Sequence, residues 1–428
     1  MAENVGVIGS GIAGLTAAWV LRNMGCRVTV LEAGPSRGLD LHTVNAPSQF
    51  GKGRVDAPLR VTTPGRWPTF LKLCDAAGVG TFEIPLHLSF SDMKGATWLQ
   101  TGPLPTELYD KSSYKEKRKE LSSTVLRIMS EANISSKNNK RKITLEDFIA
   151  KSEVAEFLFF DFVLPILSTI CTCDYKSLLR WPADQILDIF IDVVTTVKSL
   201  RLIGGTHSLA TALSKDVEII ANARVNLVTT DQARAKVSFG GTELLFDKLF
   251  IACQPHEIDF LDPRVFSEQA FLMMKFPYSE GNLVTHSDPR LMPSNRQNWT
   301  ALNYLIEQPA DSSMWTVWLN LVEPSLAMSP DLFQTWNPAI EPEESKILSS
   351  IKFRRSIVTT QTSGYLKELR KLNQLGVGSV YFCGSYAANG VPLLESAVRS
   401  ALNAIQAARM PVERFPKISM FFAKGIID

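Results

Sequence analysis

The sequence predicts an α/β fold in which a Rossmann-like domain is interleaved with an α+β second domain. Three observations carry that expectation. The stretch "VGVIGSGIAGLTAAWVLRNMGCRVTVLEAG", Val5 to Gly34, reads strand, glycine-rich turn, helix, strand and terminal acid in order. Two more apolar strands ending in small residues lie far downstream, in "LLFDKLFIACQP" (Leu244 to Pro255) and "GSVYFCGSYAANG" (Gly378 to Gly390). The segments between them differ in character, with charged and amphipathic helices over 83–200 and strand-like runs over 270–360.

The first element is the apolar run Val5 to Ile8, suited to a strand buried on both faces. Gly9, Gly11 and Gly14 follow in the spacing G-x-G-x-x-G, and a helix-forming run, Ile12 to Met24, starts inside it. Each glycine has a task. Gly9 permits the tight turn, Gly11 lets a pyrophosphate approach the backbone, and Gly14 lets helix and strand pack closely. The helix N-terminus offers free N–H groups and a positive dipole end to phosphate. Gly25 stops the helix, "RVTVLE" is the second strand, and Glu32 at its end can accept both ribose hydroxyls of an adenosine. Ala13 in the turn and Ala33 after the acid belong to the same expected site. An acid at this position disfavours a 2′-phosphate, so NADP is set aside while FAD and NAD remain.

Helices are expected from "YKEKRKELSSTVLRIMSEA", "TLEDFIAKS", "VAEFLFFDFVLPILSTI" and "PADQILDIFIDVV", and strands from "GNLVTHS", "WTALNYLI", "SMWTVWLNLV" and "LFQTW". Interleaving of this kind is, by analogy, a habit of flavoproteins more than of NAD dehydrogenases. In "SVYFCGSYAANG" a strand ends at Gly384, glycine-bearing turns follow, and a helix begins near Leu393 to Ser396. A helix N-terminus presented to an isoalloxazine ring would stabilise negative charge on reduced N1/O2. The plainer alternative is one more strand–loop–helix crossover of the same sheet. The expected division is 1–80, 201–262 and 375–412 for an FAD-binding domain, 81–200 and 263–374 for a substrate domain, and 413–428 for a C-terminal tail.

Composition narrows the partners. The 428 residues are 45% hydrophobic, ample for two cores, and a net charge of +2 gives no reason to expect nucleic acid. Six cysteines without zinc-ligand spacing and five histidines suggest no metal centre. Cys171 and Cys173 are a candidate redox pair, whereas Cys253 and Cys383 at strand ends read as small buried hydrophobes. The phosphate loop begins at residue 9, leaving no room for a leader, and no apolar run approaches the roughly 18 residues of a membrane helix. A soluble, cytoplasmic protein is expected. Lys111 to Lys142 carries ten Lys/Arg. It is a candidate for peripheral docking on an anionic membrane, though a solvated helix covering the substrate domain is the blander reading.

The full set of motifs resembles the flavin amine oxidase and phytoene-desaturase-like superfamily. Within it, the chain looks like the predicted NAD/FAD-binding proteins that are similar to the N-terminal flavin domain of plant cyclopropane fatty acid synthases. The matching stretches include "VGVIGSGIAGLTAAWVL", "LEAG", "LHLSFSD", "LLRWPADQILDIF", "GGTHSLATAL", "VTHSDPRLMP", "WTALNYL", "YFCGSYAANG" and "RSALNA". The resemblance implies FAD, with the pyrophosphate on Gly9, Gly11 and Gly14 and the adenosine ribose on Glu32. It implies backbone contact with the adenine at Val225. Gly384 and Ser385 would lie beside pyrophosphate and ribitol, and Glu395, Ser396, Ala397 and Val398 at the helix start near the flavin. Two departures stand out. Ser36 occupies the place of the family's arginine, with Arg37 one place later and Leu39 for the second glycine; Leu394 replaces a histidine before the last helix. Arg37 is the candidate phosphate ligand that remains.

The resemblance also places His286, in "GNLVTHSD", near the position of the lysine that amine oxidases hold by flavin N5. There it is a candidate to take or relay a proton, against a histidine that only bonds between strands. His207, at the "GGTHSLATAL" turn, reads as a cap-region residue. His87, Trp299, Tyr304, Trp318 and Tyr386 are the candidate substrate-pocket residues. The expected function is FAD-dependent oxidation of a small or apolar molecule by hydride transfer to N5, with O₂ or another acceptor taking the electrons. The alternatives are a redox-neutral double-bond isomerase of an unsaturated lipid-like substrate and a non-catalytic binding protein on the same fold.

Overall fold

A computed structural model describes residues 2–48, 51–101, 143–152, 156–195, 198–307 and 314–422, with Leu121, Arg127, Ile128 and Ser130 besides. The helix expected over 114–132 and the basic segment lie, but for those four residues, outside the described residues.

Five parallel strands form the first sheet, in the order Val380–Phe382, Lys248–Ile251, Asn4–Ile8, Arg27–Leu31, Glu218–Ile220. Alternation along each strand feeds two cores. Val5, Val7 and Phe250 point to the side covered by the Ile12–Asn23, Gly205–Ser214 and Leu394–Ala407 helices. Ile8, Leu249 and Ile251 point to the other side, where the antiparallel meander Val225–Asp231, Arg234–Phe239, Thr242–Phe246 packs. Burial on both faces is why these strands read as continuous apolar runs. "LLFDKLFIACQP" is not one strand but two. Its first half closes the meander and its second enters the parallel sheet, with Asp247 between them accepting from the Asn4 N–H at 2.8 Å.

The second sheet has seven strands: Ile347–Ser356, Tyr278–His286, Phe333–Trp336, Met314–Trp318, Leu302–Ile306, Leu88–Asp92 and Thr97–Gln100. All pairings are antiparallel except Leu302–Ile306 with Leu88–Asp92. "SMWTVWLNLV" yields a strand only to Trp318, after which Leu319–Val322 makes a single helical turn. The helices Leu145–Lys151, Leu164–Cys171 and Ala183–Thr195 pack on one side of this sheet in a shared core with Trp181, Phe190, Tyr304 and Trp336. A wide π turn, Phe159–Val163, precedes the second of these helices. Pro165 lacks an N–H and its ring crowds the carbonyl one turn back, so a widened turn there is the local response.

Three buried polar side chains tie the sheets together. Asp56 accepts from the Thr206 N–H at 2.9 Å and from Thr206 Oγ1 at 2.7 Å, and faces Arg201 Nη2 at 3.5 Å. Arg201, 1% exposed, also donates to the Val322 carbonyl at 2.6 Å and to Glu323 at 2.7 Å. Gln334, on the seven-stranded sheet, donates to the Asp56 carbonyl at 2.7 Å and accepts from the Leu59 N–H at 3.0 Å.

Gly281 lies under the Trp336 ring, which is fully buried and stacked between Trp315 and Phe353. A methyl group on Gly281 would overlap that ring, and the stack leaves it no room to turn. Gly281→Ala is expected to lower stability by roughly 1–3 kcal/mol, the usual cost of overpacking, as read from denaturant unfolding.

Candidate cofactor and substrate site

The glycine turn forms as the spacing requires. Gly9 has φ +95, and a side chain on Gly14 would collide with the Gly9 carbonyl, so helix and turn touch through bare backbone. Gly11 is the N-cap, no side chain caps the helix, and a Cβ on Gly11 would meet nothing within 4 Å. That combination is an uncapped helix N-terminus facing open space, which suits phosphate.

Glu32 is buried, at 8% exposure, at the end of the second strand. One of its oxygens accepts from the Ser10 N–H at 2.9 Å and from Ser10 Oγ, the other from the Gly34 N–H at 2.8 Å. The carboxylate therefore braces the glycine turn, and the oxygen that accepts from Gly34 keeps an acceptor site for a ribose hydroxyl. The departure loop folds back over this turn: the Gly38 N–H donates to Ser10 Oγ at 2.6 Å and the Leu39 N–H to the Ser10 carbonyl at 3.1 Å. Ala33 is exposed beside Glu32, while Ala13 is buried with Gly14 in the first turn of the helix. Val225 is brought alongside because the Ala223 N–H donates to the Glu32 carbonyl and the Asn222 N–H to that of Gly34.

Arg37 is turned elsewhere. It pairs with Asp40 at 3.1 Å and reaches Ser214 Oγ at 3.1 Å, and Asp40 in turn bonds His207 Nδ1 at 2.6 Å. With Asp40 three residues away, the nearer carboxylate wins the guanidinium. His207 sits in the first turn of its helix and fastens this loop.

At the other end of the fold, Gly384 has φ +153 and its N–H donates to Ser400 Oγ at 2.9 Å, leading into the short turn that begins at Ser385. The Leu394–Ala407 helix starts without a side-chain cap. Ser396, Ala397 and Val398 are buried in its first turn, with Ser396 Oγ donating to the Val391 carbonyl at 2.6 Å. Glu395 points to a different task. Its carboxylate accepts from the Thr69 and Phe70 N–H groups at 3.2 and 2.9 Å, filling the positive end of the Pro68–Ala76 helix.

A cavity of about 220 Å³ opens beside this helix start, with Leu393 and Leu394 in its wall. The rest of the wall is mostly apolar, including Leu59, Leu88, Ile166, Trp315 and Tyr304. Tyr304 stacks on Phe90 at 4.6 Å, its hydroxyl lies 2.9 Å from Thr169 Oγ1, and burial raises its pKa. Of the five pocket residues expected from sequence, Tyr304 lines this cavity. Leu86 and Leu88 line it while His87 between them does not, as alternation in an extended chain dictates. Trp299 and Trp318 pack edge to face at 5.4 Å with the Arg296 guanidinium over both rings. Tyr386 lies in the core with its ring against Phe276 and its hydroxyl 3.5 Å from Met273 Sδ. None of these three lines the cavity.

His286 is also away from it. The ring is fully buried between strands, with Nε2 2.7 Å from Thr335 Oγ1 and Nδ1 accepting from the Asp288 N–H at 3.1 Å. Both nitrogens are engaged and burial lowers its pKa from 6.5 to about 4. These contacts describe a neutral histidine that organises the "HSDPRLMP" turn, a correction to its candidacy as a proton relay. Cys171 and Cys173 are free and buried, and burial together with their mutual hydrogen bond holds the Cys173 thiol well above its ordinary pKa. A thiol so disfavoured as thiolate makes a poor redox nucleophile. Among the described residues no group of His, Cys, Asp or Glu could hold a metal, and no helix is long and apolar enough to cross a membrane.

Sequence reasoning overlooked Asp56, Arg60, Arg201 and Arg355. Arg60 and Arg355 both line the cavity. A signal for Arg355 existed: in the edge strand Ile347–Ser356 the inward face runs Ile351, Phe353, Arg355, an arginine in an apolar row.

The fold, with its parallel sheet carrying the glycine turn, is similar to that of solved flavin amine oxidase structures. The NAD(P)-binding Rossmann-like domain family matches residues 7–76. The chain is similar in structure to cyclohexylamine oxidase from Brevibacterium oxydans, with a TM-score of 0.63 at 16% identity, covering 96% of this chain and 99% of that one. It is similar to a fatty acid isomerase from P. acnes that produces CLA, with a TM-score of 0.67 at 13% identity over 96% and 99%. A putrescine oxidase bound to putrescine matches with a TM-score of 0.64 at 15% identity over the same shares. No curated protein matches the sequence.

The unfolded chain takes up the His286 proton near pH 6.5, whereas the folded chain resists it until about 4. Its contribution to stability is complete above pH 6.5 and is lost as pH falls through that window, on the order of 3 kcal/mol in all. His286→Gln is expected to flatten the stability profile there, measured by denaturant unfolding across pH, while the activity profile keeps its shape.

Proposed function

We propose that the protein is an FAD-dependent oxidoreductase acting on a small, largely apolar molecule. One observation carries this reading: an apolar cavity sits at the uncapped N-terminus of the Leu394–Ala407 helix, in a fold that also presents an uncapped helix N-terminus at Gly11, where an added Cβ would meet nothing within 4 Å. Gly9, Gly11 and Gly14 would hold the pyrophosphate, Glu32 the adenosine ribose, Val225 the adenine, and Gly384 and Ser385 the segment leading to the ring. FAD, when bound, supplies two-electron acceptor chemistry.

The chain's own residues bind, orient and exclude water. The Leu394–Ala407 helix N-terminus favours negative charge at its end. Leucine, isoleucine and tryptophan walls keep the chamber dry, which strengthens every electrostatic contact inside it. Among the described residues the wall holds no carboxylate or histidine, so the proposal gives the protein no general base. Among proteins of similar fold are oxidases of small amines and an isomerase of a fatty acid. The apolar wall favours the hydrocarbon kind of substrate. Redox-neutral isomerisation is the second reading, and it differs in consuming neither O₂ nor another acceptor.

The test is flavin content. Gly11→Val adds a side chain where the structure is open, at φ −67, so the apoprotein is expected to keep its melting temperature. Bound flavin, read from the blue absorption band after reconstitution, should fall by at least about tenfold. Equal flavin retention in the two proteins, or a wild-type protein that FAD cannot colour, would sink this reading.

A further inference from the structure

Among the described residues the cavity wall contains two charges, and they have the same sign. Arg60 follows the Asp56–Leu59 segment held by Gln334, and Arg355 comes from the inward face of the edge strand. Arg60 has no hydrogen bond or ion pair among the described residues. Asp56 attracts it, but that carboxylate is occupied by Thr206 and Arg201. Nε and Nη2 of Arg355 are closed to solvent and without a partner among the described residues; its guanidinium lies 5.0 Å from the centre of the Phe353 ring.

The third neighbour is cation-capable too. His42 sits against Phe353 at 5.4 Å, and burial, Arg60 and Arg355 all push its pKa down. Burial and the adjacent Arg60 likewise lower Arg355 to about 9. Two guanidiniums drawn into an apolar chamber beside a histidine, without a free carboxylate among the described residues, are costly unless something anionic completes them.

We propose that Arg60 and Arg355 receive the carboxylate of an apolar monoacid whose hydrocarbon part lies along the leucine- and isoleucine-lined wall. The substrate class is then an aliphatic or similarly apolar acid, not an amine. An ammonium group would meet like charge at both arginines, and a neutral head would leave both unpaired. A carboxylate presents two acceptors in one plane, matched to a guanidinium fork, and one charge is cheaper to strip of water than the two of a phosphate monoester. The inference rests on the cavity being the substrate chamber of the proposed flavin enzyme.

The test is calorimetric titration of the flavin-loaded protein with decanoate, decanol and decylamine, for wild type, Arg60→Met, Arg355→Met and Arg355→Lys. Decanoate should bind wild type at least about tenfold more tightly than decanol, and each methionine variant should lose at least that factor for the acid alone. Arg355→Lys should retain part of the preference. Arg355→Met removes an unpaired buried charge, so its melting temperature should equal or exceed wild type; if it does not fold, Arg60→Met and Arg355→Lys carry the comparison. Equal affinity for acid and alcohol overturns the proposal. So does a shifted flavin midpoint potential in the variants with acid binding unchanged, because the arginines would then serve the ring. A protein that takes no flavin sinks the enzyme reading, yet calorimetry on it still reads the acid preference.

Discussion

The buried carboxylate of Asp56 is the constraint on which the rest of the architecture turns. It holds the start of the Gly205–Ser214 helix through the Thr206 N–H and hydroxyl, and it faces the enclosed Arg201 guanidinium. Arg201 passes the connection to Val322 and Glu323. A side chain on Gly205 would press into the Asp56 carboxylate, so glycine is required there for space as well as for its positive φ. Because both partners are buried, removing either would leave a charge stranded in the interior. The same segment then runs through Leu59 to Arg60, so the cavity wall inherits its placement from this network.

The fold combines two electrostatic devices. Helix N-termini lie at Gly11 and Leu394, each without a side-chain cap, and each offers free N–H groups to negative charge. Inside the chamber, Arg60 and Arg355 add full positive charge in apolar surroundings. The cavity thus carries local positive charge in a chain whose net charge is only +2. Acidic residues that could have quenched it are spent elsewhere: Glu32 on the phosphate loop, Glu395 on the Pro68–Ala76 helix, Asp40 on Arg37 and His207.

Much of the nucleotide half was legible because its signals are local. Turn, helix and strand from Val5 to Glu32 depend on glycine spacing and neighbouring apolar residues, and they fold as read. The pocket was not legible for the opposite reason. Trp299, Trp318 and Tyr386 are aromatic and flank suggestive motifs, but which way a ring points depends on strand register and on what packs across from it. His87 and Leu88 differ by one residue and face different ways. His286 looked like a base from its position by resemblance, and pairing with Thr335 and Asp288 makes it a structural hinge of its turn.

By itself, then, the sequence determined the α/β class and the glycine-rich turn with its terminal acid, because each is written in contiguous residues. Tertiary structure alone decided which side chains meet in the cavity. Arg60 and Arg355 are almost 300 residues apart and share no motif. Their charges matter only because packing encloses them together, and neither pairing nor desolvation has a signature in the order of residues.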